Sequence, residues 1–232
     1  MARRSSTATK TRAPEEVAPP RPLGKRGRAT RARLLRAAEE CFGTYGYAAT
    51  SVSEIVRQAG TSQGGFYVYF PSKEAIFAEL IRDMARDIRE VLSARVSGSE
   101  TRLEAEVAGT EAFFTWLTEH RHHHRILHLV DEVDEGLARE FFMAISTSYT
   151  EALRRAMDDG EIPRMDPELL AYALMGIGHF LSMRWILWSG GEFPPELEGD
   201  LRRIISGTLG LGQAAADAGA AGAAGAGAAR GS

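Results

Sequence analysis

The stretch from residue 28 to residue 75 constrains the fold more than any other part of this sequence. Apolar residues recur there at helical spacing, namely Leu35, Ala38, Phe42 and Tyr45. A helix of about eight residues is predicted to follow Ser51, a good N-cap, and to end at Gly60. A very short helix then precedes Pro71, which stops it. Two short helices joined by a glycine turn predict a helix-turn-helix.

The helical pattern continues through the rest of the chain. A helix beginning after Ser72 is marked by Phe77, Ile81, Met84, Ile88 and Val91. Further helices are predicted near 101–119, 122–134, 136–159, 167–189 and 195–209. Sustained period-two alternation is missing from the sequence, so an all-α fold is expected, with a three-helix unit at the N-terminus and a larger helical unit after it.

Composition divides the chain into four segments. Residues 1–24 are rich in proline and polar residues and are predicted to form a disordered basic arm. Residues 25–80 hold the predicted helix-turn-helix, and residues 81–212 form a larger helical part of the chain. Residues 213–232 are almost entirely alanine and glycine, which predicts a flexible tail.

Charge is distributed unevenly between the two ends of the chain. Residues 1–31 carry nine Lys and Arg against two Glu, a net +7, which leaves −10 elsewhere because the whole chain carries −3. A basic arm on an acidic body is expected of a nucleic-acid-binding protein. The single cysteine, Cys41, excludes an internal disulfide and fits a reducing cytoplasm. The basic start is not followed by an apolar run, so a signal peptide is not expected.

Three local features favour DNA binding over plain scaffolding. Gly64 and Gly65 each cost about 1 kcal/mol relative to alanine inside a helix, but allow close approach to a duplex. Lys73 opposes the dipole of the helix it begins, unless a phosphate binds there. Phe66 and Phe70 are expected to pack with Phe42 and Ile55, while Tyr67 and Tyr69 point elsewhere with hydroxyls able to reach phosphates.

The run from Gly46 to Glu74 closely resembles the DNA-binding domain of the tetracycline-repressor (TetR) family, and the resemblance extends over residues 26–80. The resemblance implies an N-terminal three-helix DNA-binding domain with a helix-turn-helix over residues 25–80. The rest of the chain is similar in length and helical character to the family's variable domain, which implies a ligand-binding and dimerisation domain over residues 81–212. The resemblance also implies DNA contacts by Arg28, Thr50, Ser51, Ser62, Gln63, Gly64, Gly65, Tyr67, Tyr69 and Lys73.

Within that set, the resemblance implies distinct roles. Thr50 and Ser51 would contact phosphate, and Tyr67, Tyr69 and Lys73 would clamp the DNA backbone. Ser62, Gln63 and Gly64 would face the major groove, where Gln63 can pair with N6 and N7 of adenine. Arg26 and Arg28 would reach an adjacent groove from the arm. Two positions depart from the family pattern: Gly65 stands where Ala, Ser or Thr is frequent, and Thr61 where an aliphatic residue is common.

The helix predicted over 167–189 is apolar nearly all round, which suits a helix with one face in the core and another against a second copy. Members of the family are usually dimers joined through their last two helices. A dimer places two recognition helices about 34–36 Å apart, which is the distance between the two half-sites of a palindromic operator. The alternative is a central core helix in a monomer.

Effector binding is predicted from aromatic and polar residues of the second domain: Phe113, Trp116, His124, His128, Phe142, Tyr149, Phe180 and Arg184. Each aromatic residue in that set can equally be part of the core. Arg184 interrupts an apolar helix and needs a partner, either a carboxylate such as Glu132 or an anionic ligand. A hydrophobic acid, such as an acyl-coenzyme A or an aromatic acid, is the resulting hypothesis.

Five of the six histidines lie between His120 and His128. His124, His128 and Asp131 could share one helix face, so a metal-sensing regulator is the alternative hypothesis. The sequence lacks a nucleophile–base pair, a phosphate-binding loop and a cofactor motif, so neither enzymatic activity nor a cofactor is expected. The sequence therefore predicts a cytoplasmic, homodimeric repressor that a small molecule releases from its operator.

Overall fold

The computed structural model describes residues 24–212, which form a bundle of helices. Strands are absent from this part of the chain, which confirms the all-α prediction. The α-helices of the described range are α1 (Lys25–Tyr45), α2 (Val52–Ala59), α3 (Gln63–Tyr67), α4 (Lys73–Val96), α5 (Arg102–Glu119), α6 (Arg121–Leu127), α7 (Val130–Val133), α8 (Glu135–Asp158), α9 (Pro167–Ser182) and α10 (Glu198–Thr208). The predicted arm, but for Gly24, and the predicted tail at 213–232 lie outside the described residues.

Helices α1, α2 and α3 pack around a small core of aromatic and aliphatic side chains. Phe42, Ile55, Phe66 and Phe70 are all at most 2% exposed, as the sequence pattern predicts. Burying four such side chains stabilises the unit by about 1.5–3 kcal/mol each. This core holds α3 in place through the buried Phe66.

The ends of these short helices are set by capping residues. The Ser51 hydroxyl accepts from the Glu54 backbone N–H, and the Glu54 side chain accepts from the Ser51 backbone N–H, so the predicted capping box forms. Gly60 adopts φ 63° at the end of α2, a left-handed conformation that glycine takes without steric cost. Ser62 then caps α3 by accepting from the Gly65 backbone N–H.

Helix α4 joins the N-terminal helices to the rest of the molecule. It packs against α1 at its start and against α5 and α8 further along. The boundary predicted between residues 80 and 81 falls inside this helix, so a helical rod rather than a loop connects the two units.

Two predicted helices are interrupted in the structure. The segment predicted as one helix over 122–134 forms α6 and α7, with His128 and Leu129 between them. The segment predicted over 167–189 is α-helical to Ser182 and then continues as a π-helical turn, Met183–Leu187. The last predicted helix begins with a 3₁₀ turn, Pro195–Leu197, before α10.

Candidate DNA-binding surface and effector domain

The outer surface of α3 carries the residues predicted to read bases. Ser62, Gln63 and Gly64 are exposed. A Cβ atom built on Gly64 meets no other atom within 4 Å, so the backbone there faces open space. The Gln63 side-chain amide donates to the hydroxyl of Ser53 on α2, with Nε2 and Oγ 2.7 Å apart. The short helix is therefore presented outward, on top of the buried Phe66.

Gly65 differs from Gly64 because it faces its own neighbours. A Cβ atom at Gly65 would lie 2.7 Å from Oγ1 of Thr61 and 3.3 Å from Oγ of Ser62. The first distance is shorter than ordinary contacts allow. The two positions that depart from the family pattern, Gly65 and Thr61, are thus spatially coupled: the Thr61 hydroxyl occupies the space that a side chain at position 65 would need.

The two tyrosines after the glycines have different surroundings. Tyr67 is 55% exposed, with its ring against Phe66, whereas Tyr69 is half-buried and packs on the core. Between them, Val68 is 73% exposed, which is unusual for an apolar side chain. No signal in the sequence marked Val68 as an exposed residue.

The phosphate contact predicted for the Thr50 side chain is wrong in this structure. Thr50 is 1% exposed, and its Oγ1 lies 3.1 Å from the Cys41 carbonyl and 2.8 Å from the Gly46 carbonyl. The hydroxyl therefore donates within the molecule, to carbonyls at the C-terminal end of α1. Ser51 is exposed beside it, although its hydroxyl already takes part in the capping box with Glu54.

Lys73 does not need a phosphate to explain its position at the start of α4. Its Nζ donates to the carbonyls of Tyr47 and Thr50, each at 3.0 Å, and lies 4.2 Å from the centre of the Tyr47 ring. These contacts tie α4 to the loop before α2. The phosphate predicted from the unfavourable helix dipole is therefore not required, since internal carbonyls supply the negative partial charge next to Lys73.

Arg26 and Arg28 belong to α1 rather than to an arm that precedes it. Both are exposed, and the Arg28 backbone N–H donates to the carbonyl of Gly24. The prediction that they reach a groove from a disordered segment is therefore corrected: any contact they make starts from the first turns of a helix.

In the second unit, the predicted effector residues do not converge on one site. Trp116 is buried and stacks on the rings of His120 and His123. Phe113 and Phe142 are half-buried against the core. Phe180 is 68% exposed, which corrects its assignment to an interior pocket.

Arg184 is exposed as well, and its Nη1 donates to the hydroxyl of Ser189 at 2.8 Å. The prediction of a semi-buried arginine paired with Glu132 or an anion is wrong, because Arg184 is exposed and bonds to Ser189.

A buried polar cluster that the sequence pattern did not predict lies between α5 and α8. The carboxylate of Glu106, 5% exposed, accepts from the guanidinium of Arg102 and from the hydroxyl of Tyr149. Burial raises the pKa of Glu106, while Arg102 and Tyr149 oppose that shift. Tyr149 was predicted as an effector residue; here its hydroxyl already has a partner. The only sequence signal for this cluster was the spacing of Arg102 and Glu106, which are four residues apart and can form an ion pair on one helix face.

A second polar cluster joins α6 to α9. His124 lies with its ring centre 5.3 Å from that of His128, which in turn is 4.8 Å from His179. The Ser182 hydroxyl lies 3.3 Å from His124 Nε2. Burial lowers the pKa of His124 and of His128 to about 4, so both are neutral at pH 7. His179 was missed because it is distant in sequence. Residues 24–212 contain no group of three or more ligands arranged to hold a metal ion.

The other side of α6 lies directly on α1 of the N-terminal unit. Nε2 of His123 lies 3.4 Å from a carboxylate oxygen of Glu39, and Arg125 donates to the Gly43 carbonyl at 3.3 Å. Gly43 has no room for a side chain because the ring of His122 lies against it. A helix in contact with the histidine cluster is thus also in contact with the DNA-binding unit.

Helix α9 exposes an apolar face. Leu170, Ala171 and Leu174 are buried, whereas Leu169 and Phe180 are 71% and 68% exposed. Tyr172 and Trp188 are also exposed, and α10 adds Ile204. By length and composition alone the run Pro167–Leu187 could cross a membrane, a test that the core helix of a soluble protein also passes. We call the exposed side chains of Leu169, Tyr172, Phe180, Trp188 and Ile204 the α9 face.

Comparison with known proteins identifies a family match over the helix-turn-helix. The family described as "Bacterial regulatory proteins, tetR family" matches residues 34–80, which include α2, α3 and the start of α4.

Among full-length relatives, the HTH-type transcriptional regulator YdgC of Bacillus subtilis is 28% identical over 187 residues, covering 79% of this chain and 94% of that protein. The HTH-type transcriptional repressor KstR2 of Rhodococcus jostii is 29% identical over 174 residues, covering 70% and 81%.

Among solved structures, the transcriptional regulator FadR of Bacillus subtilis in complex with stearoyl-CoA superposes with a TM-score of 0.67 at 19% identity, covering 75% of this chain and 96% of FadR. These comparisons agree with the structure in three respects: the matched helix-turn-helix, the regulators that align over most of their length, and the shared all-helical fold. The chain is a DNA-binding transcriptional regulator whose helix-turn-helix unit matches the tetR family.

Proposed function

We propose that this protein is a homodimeric repressor that binds a palindromic operator in the cytoplasm and dissociates from it when a small molecule binds the second unit. The outward presentation of α3 carries this proposal. Its exposed residues Ser62, Gln63 and Gly64 stand on the buried Phe66, with nothing from the rest of residues 24–212 covering Gly64. A five-residue helix held in this way can enter the major groove.

Within the predicted DNA-contact set, we propose different roles for exposed and partly buried residues. Gln63 reads base edges, while the exposed Ser51 and Tyr67 contact phosphates. Tyr69 and Lys73 hold the N-terminal unit together from partly buried positions. The exposed Arg28 extends the contact surface along α1.

Dimerisation through the α9 face supports the operator geometry. The face combines several exposed large apolar side chains on neighbouring turns, which is the pattern expected where a second copy packs. A second copy in this position pairs two α3 helices on one duplex, and a palindrome is then the matching DNA sequence.

The effector is proposed to be a hydrophobic acid that binds the second unit. An acyl-coenzyme A is the first to test, because FadR of the same fold is complexed with stearoyl-CoA. Helix α6 offers a physical link to DNA binding, since it contacts both the histidine cluster and α1. An effector that displaces α6 acts on DNA affinity in proportion to its differential affinity for the two conformations.

Selection from a random duplex library with the full-length protein tests the DNA-binding proposal. We expect one palindromic sequence to emerge, bound at least about 1,000-fold more tightly than random DNA at physiological salt. Gln63→Ala should cost about 1–3 kcal/mol at one base pair in each half-site. Gln58→Ala, which removes an exposed amide–carboxylate contact on the far side of α2, is the control. Equal affinity for selected and random duplexes would disprove sequence-specific repression.

Titration of the protein–operator complex tests the effector class. Stearoyl-CoA is expected to lower operator affinity by about 5- to 150-fold, whereas zinc or a chelator should leave it unchanged. Loss of binding on addition of the chelator alone would instead support the metal-sensing alternative, which the described residues do not favour.

A further inference from the structure

Ser53 and Gln63 meet where the two short helices of the N-terminal unit converge. Ser53 lies in the first turn of α2, and Gln63 is the first residue of α3. Both side chains are exposed, yet the Gln63 Nε2 donates to the Ser53 Oγ at 2.7 Å. Ser53 is absent from the DNA contacts that the family resemblance implies, so its role has to come from this contact.

The hydrogen bond leaves Gln63 with the groups needed to read adenine. A glutamine amide has two N–H donors and one carbonyl acceptor. Donating one N–H to Ser53 leaves one donor and the carbonyl oxygen, the pair that binds N7 and N6 of adenine in the major groove. The contact with Ser53 is therefore compatible with base reading and does not compete with it.

The same hydrogen bond restricts the orientation of the amide before DNA arrives. An exposed glutamine loses several freely rotating torsions when it is fixed against a base edge. Here Ser53 holds the amide from a helix that is itself anchored by the buried Ile55 and Val56. Preorganisation of this kind improves affinity for the correct base by reducing the ordering cost of binding.

We propose that Ser53 is a positioning residue that orients the Gln63 amide for reading adenine in the operator. This inference rests on the proposed function, because it requires Gln63 to contact a base. It makes Ser53 a determinant of specificity that acts through Gln63 without touching the base itself.

The test uses full-length protein and the duplex selected from the random library by the wild type. One A·T pair per half-site is replaced by G·C, and its adenine is replaced separately by 7-deazaadenine, which lacks the N7 acceptor. Affinities are measured for the wild type, Ser53→Ala, Ser53→Thr, Gln63→Ala and the double variant Ser53→Ala/Gln63→Ala. Gln58→Ala is the matched control, since it also removes an exposed interhelical contact of α2.

We expect Ser53→Ala to reduce discrimination at the A·T pair by three- to tenfold. Affinity for random DNA, the salt dependence and the melting temperature should stay at wild-type values. Ser53→Thr, which keeps the hydroxyl, should retain discrimination. In the Gln63→Ala background, Ser53→Ala should change nothing, because there is no amide left to orient.

Three results would overturn the inference while leaving the repressor function standing. Unchanged discrimination in Ser53→Ala would show that Gln63 needs no positioning. Equal weakening on all duplexes with a shallower salt dependence would make Ser53 a phosphate contact. Unchanged base preference in Gln63→Ala would remove Gln63 from readout. A wild type that selects no sequence at all would defeat the proposed function and this inference together.

Discussion

The Thr61 hydroxyl and the missing side chain of Gly65 share one space at the start of α3. Because a Cβ at position 65 would lie 2.7 Å from Thr61 Oγ1, Gly65→Ala combines a favourable helix propensity of about 1 kcal/mol with an unfavourable contact. In the wild-type background we expect the two effects to offset each other. In the Thr61→Ala background the contact is gone, and Gly65→Ala should stabilise the protein by about 0.5–1 kcal/mol. Urea unfolding of the four proteins measures this coupling.

Gly64 provides the control for that cycle. It lies in the same helix, and a Cβ there meets nothing within 4 Å. Gly64→Ala should therefore stabilise by the same amount whether residue 61 is threonine or alanine. Equal effects of Gly65→Ala in both backgrounds would contradict the proposed coupling.

Lys73 is a second residue whose structural role can be separated from DNA binding. Its ammonium group donates to the Tyr47 and Thr50 carbonyls, and hydrogen bonds to charged groups contribute about 1.5–3 kcal/mol each when formed away from solvent. Lys73 is half-buried, so Lys73→Met should lower the free energy of unfolding by about 1–3 kcal/mol. Chemical denaturation without DNA measures it. The exposed Lys25→Met is the control, and wild-type stability in Lys73→Met would restore the phosphate interpretation.

These residues show which parts of the site were predictable. The capping pair Ser51 and Glu54 and the buried Phe66 follow from spacing along one chain segment, so the sequence pattern was sufficient. The environments of Thr50 and Lys73 depend on carbonyls at the end of α1 and in the loop after it. A pattern of residue types does not reveal where those carbonyls point.

At the scale of an element, α6 shows how packing on two sides changes a prediction. Its histidine run suggested an effector site or a metal site, but His123 and His124 are 8% and 1% exposed. One side of the helix is covered by α1 and the other by the α9 region. Both neighbours are distant in sequence, which is why burial of these imidazoles was not foreseen.

The buried histidines of α6 and its C-terminal end predict a pH dependence of stability. Burial lowers the pKa of His123, His124 and His128 to about 4 from 6.5. Between these values the unfolded chain binds protons that the folded chain does not. Stability should therefore be complete above pH 6.5 and fall as the pH drops towards 4. The slope is about 1.4 kcal/mol per pH unit for each histidine that stays neutral.

Urea unfolding at pH 7.5, 6.5 and 5.5 measures that slope. His128→Phe removes one titrating group whose Nε2 is buried without a hydrogen-bond partner, and it should make the slope shallower by up to one proton. A slope that is identical in the wild type and in His128→Phe would place the proton uptake elsewhere.

At the scale of the whole molecule, the apolar pattern of α9 predicted two packing faces but not which of them is buried in the core. Leu170 and Leu174 face the core, while Leu169 and Phe180 face outward. Which stripe is buried depends on how α5, α8 and α10 surround the helix, and periodicity along α9 carries no such information. The fold class followed from local pattern; the polar cluster of Glu106 and Tyr149, 43 residues apart, did not.

The outward stripe makes dimerisation testable together with operator binding. Phe180→Glu places a charge in the centre of the α9 face, where burial against a second copy would leave it without a partner. We expect sedimentation to change from twice the 25.3 kDa chain mass to a single chain. Operator affinity should fall about 100-fold or more, while affinity for a single half-site changes little, because two linked recognition helices gain from avidity.

Met143→Glu is the control, since Met143 is 55% exposed on α8 and not on this face. It should leave both the assembly and the operator affinity unchanged. A Phe180→Glu protein that still sediments as a dimer would place the interface elsewhere. A monomer with undiminished operator affinity would separate dimerisation from DNA recognition, because the pairing of two α3 helices is the only step that connects the α9 face to the palindrome.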